Sequence, residues 1–210
     1  MTEENGETML NIGVMTSGRG NALRMVLETC KGHGEVVAAV ANLDCPALGV
    51  ARDNGIPHVS LHRLEDYPSR AARDEAMAAE LQKAGVDFVF SAGYSDVIDE
   101  ALLSAFPDRV MSVYPSLLPA FAEDDEAIGP ALDHGVKLIG VTFHLRQALS
   151  GAGGAIIAQE PIRVDVDDTI ETVEPRILQT ERNMLPGIFA AFAEDRVRRE
   201  GRKLRILPAS

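Results

Sequence analysis

Ser112 and Tyr114 stand two residues apart in Val110-Met-Ser-Val-Tyr-Pro-Ser-Leu-Leu-Pro-Ala-Phe121, a spacing that puts both side chains on one face of an extended chain. Residues 110–113 form the end of a predicted buried strand, and Pro115 and Pro119 then enforce a stiff, extended exit. In an open α/β sheet the loop leaving a strand's carboxyl end is where ligands bind. Both side chains are hydroxyls that can donate a hydrogen bond, and a tyrosine with its ordinary pKa near 10 is a poor base at neutral pH. The chemistry they suit is hydrogen-bond donation rather than proton abstraction. The Leu118-Pro119 bond in this tight turn is a place for a cis peptide.

A second group lies near the start. The apolar run 10–15 leads into Thr16-Ser-Gly-Arg-Gly-Asn-Ala-Leu23 and then a helical run to Cys30. Strand, glycine turn and helix start together present free backbone N–H groups to an anion. Gly18 and Gly20 allow the turn, and Arg19 or Asn21 would add a donor. Simple turning of the chain explains the glycines equally well. A third feature is Glu123-Asp-Asp-Glu126, which reads as a solvated loop or a helix start. No matching metal ligands accompany it, and no metal is expected. His144 sits on an apolar strand, where histidine is more often a hydrogen-bonded core residue than a ligand.

The elements that position these groups alternate between strand and helix. Strands are expected at 36–41, 57–61, 86–94, 110–113, 137–145 and 156–159, after the first at 10–15. Between them run helices, among them 69–84, whose Arg and Glu residues read as a solvated face, and 99–106. This pattern predicts a doubly wound, mostly parallel Rossmann-like sheet with flanking helices and right-handed crossovers. Thr169 is the N-cap of a helix through Asn183, Pro175 lies in its first turns or kinks it, and a further helix follows Pro186. Residues 197–206 form a basic terminal hairpin.

The whole chain narrows the function. Its 210 residues suit one α/β domain, and 46% hydrophobic with 25% charged residues is an ordinary globular balance. A formal net charge of −12 argues against a nucleic-acid surface. No apolar run approaches the length of a membrane span. Residues 1–7 are polar and acidic, unlike a secretory leader, and Cys30 and Cys45 lack metal-ligand spacing, so a cytoplasmic protein with reduced thiols is expected.

In order along the chain, Ser17-Gly-Arg-Gly-Asn-Ala-Leu23, Ala92-Gly-Tyr-Ser-Asp96, Ser112-Val-Tyr-Pro-Ser-Leu-Leu-Pro119, Gly140-Val-Thr-Phe-His144 and Thr180-Glu-Arg-Asn-Met-Leu-Pro186 resemble the motifs of the glycinamide ribonucleotide formyltransferase family. The resemblance runs from Leu10 to Ile206. It implies one formyltransferase-like domain over 8–207, with a phosphate-binding half over about 8–107 and a folate-binding half over about 108–207 closed by the C-terminal hairpin. It also implies 10-formyltetrahydrofolate or a related folate as the one-carbon carrier, with a phosphorylated or amine co-substrate. The resemblance places Gly18, Arg19, Gly20 and Asn21 at the phosphate, Glu181 at the substrate amine, and Ala92, Gly93, Tyr94 and His144 at the folate. Neither nucleic acid nor a membrane is an expected partner, and a homodimer stays open.

The catalytic trio that the resemblance implies, an Asn, a His and an Asp, falls on Ser112, Tyr114 and, within Gly151-Ala-Gly-Gly154, Ala152. The phosphate loop's Ser-Asn has become Asn21-Ala22, and the family's Met-Arg is Ser95-Asp96. Loss of a general base or of an oxyanion donor each costs on the order of 10²–10⁴ in rate. Three functions follow as expectations. The first is one-carbon chemistry altered toward a different amine or toward hydrolysis or cyclisation of the formyl-folate. The second is a non-catalytic ligand-binding or regulatory role, and the third is glycinamide ribonucleotide formylation with a rearranged site.

Overall fold

The computed structural model describes residues 9–91, 93–122, 126–150 and 153–209. Ala92, Ala152 and residues 123–125 of the acidic run therefore lie outside the described residues. Seven strands form one sheet in the order β3-β2-β1-β4-β5-β6-β7. They are β1 (Leu10–Thr16), β2 (Gly34–Ala41), β3 (His58–Leu61), β4 (Phe88–Ser91), β5 (Val110–Tyr114), β6 (Leu138–Leu145) and β7 (Ile156–Arg163). The pairings from β3 across to β5 are parallel, whereas β5 with β6 and β6 with β7 are antiparallel. Two further strands, β8 (Val197–Glu200) and β9 (Lys203–Ile206), make the separate C-terminal hairpin expected from the sequence.

Burial follows position in the sheet. β4, at the centre, is buried at every residue, as a strand covered on both faces must be. β7 lies at the edge and carries Pro161, which a central strand would not tolerate because proline cannot donate to a neighbour. On one face pack α1 (Asn21–Thr29), α5 (Ile128–His134) and α6 (Ile170–Ala193), with Leu23, Ala131, Ile177 and Phe189 meeting Phe90, Met111 and Phe143. Phe88 and Phe189 meet edge-on at 6.0 Å. The opposite face is covered by α3 (Arg70–Lys83) and α4 (Glu100–Ala105), whose Met77, Leu81 and Leu102 pack on Met15, Val89 and Val110. α2 (Pro46–Asp53) joins β2 to β3.

Two expectations change. The sequence predicts a break between Asn183 and Pro186, yet α6 runs 24 residues through both Pro175 and Pro186. Its apolar stripe of Val173, Ile177, Leu185, Ile188, Phe189 and Phe192 stays in register across Pro186, and that burial offsets the roughly 3 kcal/mol penalty of an interior proline. A box between Thr169 and Thr172 caps its start. The second change is in α3, where Arg73 is not on a solvated face but 0% exposed. Its guanidinium bonds Asp74 (2.8 and 2.7 Å) and Asp96 (2.7 Å), and Arg70 also pairs with Asp96. Asp74 in turn accepts from the Asp99 backbone N–H at 2.6 Å. Burial alone would raise Asp96, but the guanidinium groups of Arg73 and Arg70 outweigh it and hold the carboxyl below its usual range.

This network ties the loop after β4 to α3. Removing one partner strands a buried charge, so Asp74→Ala is expected to lower unfolding stability by about 3–5 kcal/mol. The double variant Arg73→Met/Asp74→Ala should recover much of that loss. Urea unfolding of the unaltered protein, Asp74→Ala, Arg73→Met and the double variant checks it, and additive losses would refute the coupling.

Candidate functional site

The site is assembled where β1, β2, β4 and β5 end. Ser17 donates to the Asn42 side-chain oxygen at 2.6 Å, and the Ser95 backbone N–H donates to Ser17 Oγ at 2.9 Å. The Ser17 N–H reaches the Gly93 carbonyl at 3.1 Å, so the glycine loop and the exit from β4 are joined. Gly20 has φ +90 and packs on Val50 so closely that a Cβ would come within 2.8 Å of it. No side chain caps α1, which leaves its first N–H groups facing outward beside an exposed Arg19 and Asn21. Arg19 has no partner among the described residues. Gly18 and Gly93 both border open space.

Tyr94 does not share that exposure. It is buried in the α3-side core with its hydroxyl donating to Met77 Sδ at 3.8 Å, and burial pushes its pKa up. Its ring is a packing element, so what the β4 exit offers a ligand is the backbone at Gly93.

The two hydroxyls of the opening motif are both engaged. Ser112 Oγ donates to the Ser91 carbonyl at 3.1 Å, and Tyr114 OH donates to the Phe121 carbonyl at 2.8 Å. The Pro115–Pro119 turn, whose Leu118–Pro119 peptide is cis as the sequence suggested, is pinned from below. Thr142 donates to the Ser116 carbonyl (2.6 Å) and accepts from the Leu118 N–H (3.1 Å), while Gln159 Nε2 bonds both Thr142 Oγ1 (2.9 Å) and the Leu118 carbonyl (3.0 Å). Gly140 makes this close seat possible, since a Cβ there would stand 2.5 Å from Leu117. Sequence reasoning missed Thr142 and Gln159; the signal was the two-residue spacing from Thr142 to His144 on one strand.

His144 lies directly across from Ser112, and Thr142 across from Tyr114, so all four side chains share the face toward α3 and α4. His144 is 0% exposed, and burial pushes its pKa down, which keeps the ring neutral. Nδ1 stands 3.0 Å from both the Leu145 and the Gly153 carbonyl. Carbonyls only accept, so Nδ1 carries the proton.

Glu181 comes from α6, on the other side of the sheet, and hydrogen-bonds to neither hydroxyl. It is 6% exposed and makes no hydrogen bond or ion pair among the described residues. Burial pushes its carboxyl up to about 7. A cavity of about 560 Å³ opens at the other end of β5. Leu103, Phe106, Val110, Arg146, Ala148 and Arg199 line it. Arg146 also donates to the Asp96 carbonyl (3.2 Å), which links this cleft to the β4 exit. Among the described residues no group of acidic, His and Cys side chains has the makings of a metal site, and no helix is long and apolar enough to cross a membrane.

The raised Glu181 pKa makes a signed prediction. The unfolded chain ionises this group near 4.5 and the folded chain near 7, so its penalty on stability is absent below 4.5, grows as pH rises and is complete above 7. Glu181→Gln should therefore stabilise the protein by up to about 3 kcal/mol at pH 8, from 1.36 kcal/mol per pKa unit, and by nothing at pH 4. Thermal melts at the two pH values check this.

Known proteins share this fold. The formyl transferase family model matches residues 10–188. The phosphoribosylglycinamide formyltransferase of Mycobacterium tuberculosis is 37% identical over 191 residues, covering 90% of this chain and 87% of its own. That of Bacillus subtilis is 32% identical over 184 residues, with 86% and 93% covered. Among solved structures, glycinamide ribonucleotide transformylase 1 of Symbiobacterium toebii superposes with a TM-score of 0.87 at 39% identity, covering 99% of this chain and 98% of its own. With the family model spanning most of its length and relatives this similar, the chain belongs to the formyl transferase family.

Proposed function

We propose that this protein transfers a formyl group from 10-formyltetrahydrofolate or a related folate to an amine, by chemistry that does not use the Asn, His and Asp trio its sequence replaces. The observation that carries the reading is Glu181. A buried carboxyl without a partner is costly, and a bound ammonium or amine would relieve that cost. The cavity of about 560 Å³, walled by Leu103, Phe106, Val110 and Ala148, falls in the range of small-molecule sites and suits a flat heterocycle. Arg19 and the uncapped start of α1 suit a phosphate on the acceptor.

Within that reading the amine nitrogen adds to the formyl carbon, and the carbonyl oxygen gathers negative charge. Ser112 and Tyr114 each hold one O–H donor that can leave its backbone carbonyl for that oxygen. The bond from the formyl carbon to the carrier's nitrogen then breaks, and that nitrogen takes up the proton the amine releases. The formyl carrier supplies the one-carbon unit; the chain's own residues orient the amine and stabilise charge. A second reading, a non-catalytic ligand-binding homologue, draws on the same two bonds, because both hydroxyls are already committed to backbone carbonyls.

Titration calorimetry with a non-transferable formyl-folate analogue should give micromolar binding, unchanged in Glu181→Gln. Transfer to primary amines, glycinamide ribonucleotide among them, should fall about 10²–10⁴-fold in that variant. Tyr114→Phe should lose about 10²–10³-fold. Binding without turnover above the uncatalysed rate would select the non-catalytic reading, and no heat at high micromolar protein would sink both.

A further inference from the structure

The C-terminal hairpin sends one side chain to the cavity that suits a flat heterocycle. In β8 and β9, Val197 pairs with Ile206, Arg198 with Arg205 and Arg199 with Leu204. Side chains alternate along a strand, so Arg199 shares the inner face with Val197 and Leu204, which pack against the main core. Arg198 and Arg205 take the outer, exposed face. Arg199 lines the cavity of about 560 Å³ and pairs there with Asp108, from the turn between α4 and β5.

Stability does not account for this pair. Its side chains are 49% and 45% exposed, and ion pairs in that setting add little. Asp108 has φ 55, a turn position that glycine holds without strain, so the turn itself does not call for a carboxylate. Neither residue is among those that the family resemblance places at a ligand.

The atoms left over define what the pair can read. Arg199 uses Nε on the Gly201 carbonyl at 2.9 Å and Nη1 on Asp108 Oδ1. Among the described residues, Arg199 Nη2 and Asp108 Oδ2 have no further partner. Side by side at the cavity wall stand a guanidinium that only donates and a carboxylate that only accepts. An anion would suit Arg199 but be repelled by Asp108, and a cation the reverse. The rest of the lining is balanced in the same way, with one charge of each sign from Glu100 and Arg146. A neutral planar edge with one acceptor beside two adjacent N–H donors satisfies both partners at once. An amino-oxo pyrimidine ring has that edge: its oxo group accepts from Arg199, and its ring N–H and amino group donate to the carboxylate. Leu103, Phe106 and Val110 supply apolar contact for the ring faces.

We propose that Asp108 and Arg199 are specificity-determining residues of this cavity and read the amino-oxo edge of a pterin-like heterocycle. The inference rests on the reading above, in which the cavity takes the flat ring of the formyl carrier. The pair selects the ring and takes no part in the transfer.

Selection by hydrogen-bond pattern is testable without turnover. Calorimetry on the full chain compares pterin with lumazine, the same bicycle with a second oxo group in place of the amino group. Lumazine turns a carbonyl rather than an N–H toward Asp108, so the unaltered protein should bind pterin about tenfold more tightly. Asp108→Asn offers one acceptor and one donor, which matches the dioxo edge, and should reverse the order of the two rings. Asp108→Asn and Arg199→Met should each weaken the non-transferable formyl-folate analogue by about tenfold. Equal affinity of the unaltered protein for the two rings, or a preference that Asp108→Asn leaves in place, overturns the proposal. So does binding of the analogue that is unchanged in both variants, an outcome that leaves the transfer reading standing. Failure of the analogue to bind the unaltered protein would instead bring down the transfer reading, and this inference with it.

Discussion

The pairing of β5 with strands of opposite direction on its two sides governs this molecule. β4 runs parallel to it and β6 antiparallel, so the sheet changes character at one strand. On the parallel side, crossover helices must cover both faces. On the antiparallel side the chain leaving β6 comes back toward the β4 exit, where Leu149 N–H bonds the Ile98 carbonyl at 2.8 Å. A change of direction at β5 thus gathers the ends of β4, β5 and β6 around Ser112.

Two polar networks hold that arrangement from either side. Arg73, Asp74 and the partly exposed Asp96 lock the β4 exit onto α3. Thr142 and Gln159 lock the proline turn onto β6 and β7. Neither network touches Glu181, whose carboxyl is buried with no partner among the described residues. Stability and function separate here: the paired charges shape loops, while the unpaired one is a standing cost that a ligand can remove.

Parts of the site were legible in the chain because they depend on local chemistry. Gly18, Gly20 and Gly93 mark places where the backbone turns or stays open, and Pro115 with Pro119 stiffens its turn whatever surrounds it. Arg73 and Pro186 were misjudged for the same underlying reason. An arginine in a run of charged residues looks solvated, and a proline looks like a helix end, until a partner or an apolar stripe from elsewhere in the chain overrides the local preference.

By itself, then, the sequence determined the alternation of strands and helices, the glycine loop before α1, the rigid turn after β5 and the family motifs, all of which span a few neighbouring residues. Only the tertiary structure decided that Tyr94 packs inward, that Thr142 and Gln159 seat the turn, and that Ser91, Ser112 and His144 form one buried strip. The strip depends on strand register between segments 21 to 53 residues apart, from Ser91 to Ser112 and from Ser91 to His144. A one-residue slip would turn every one of those side chains to the opposite face.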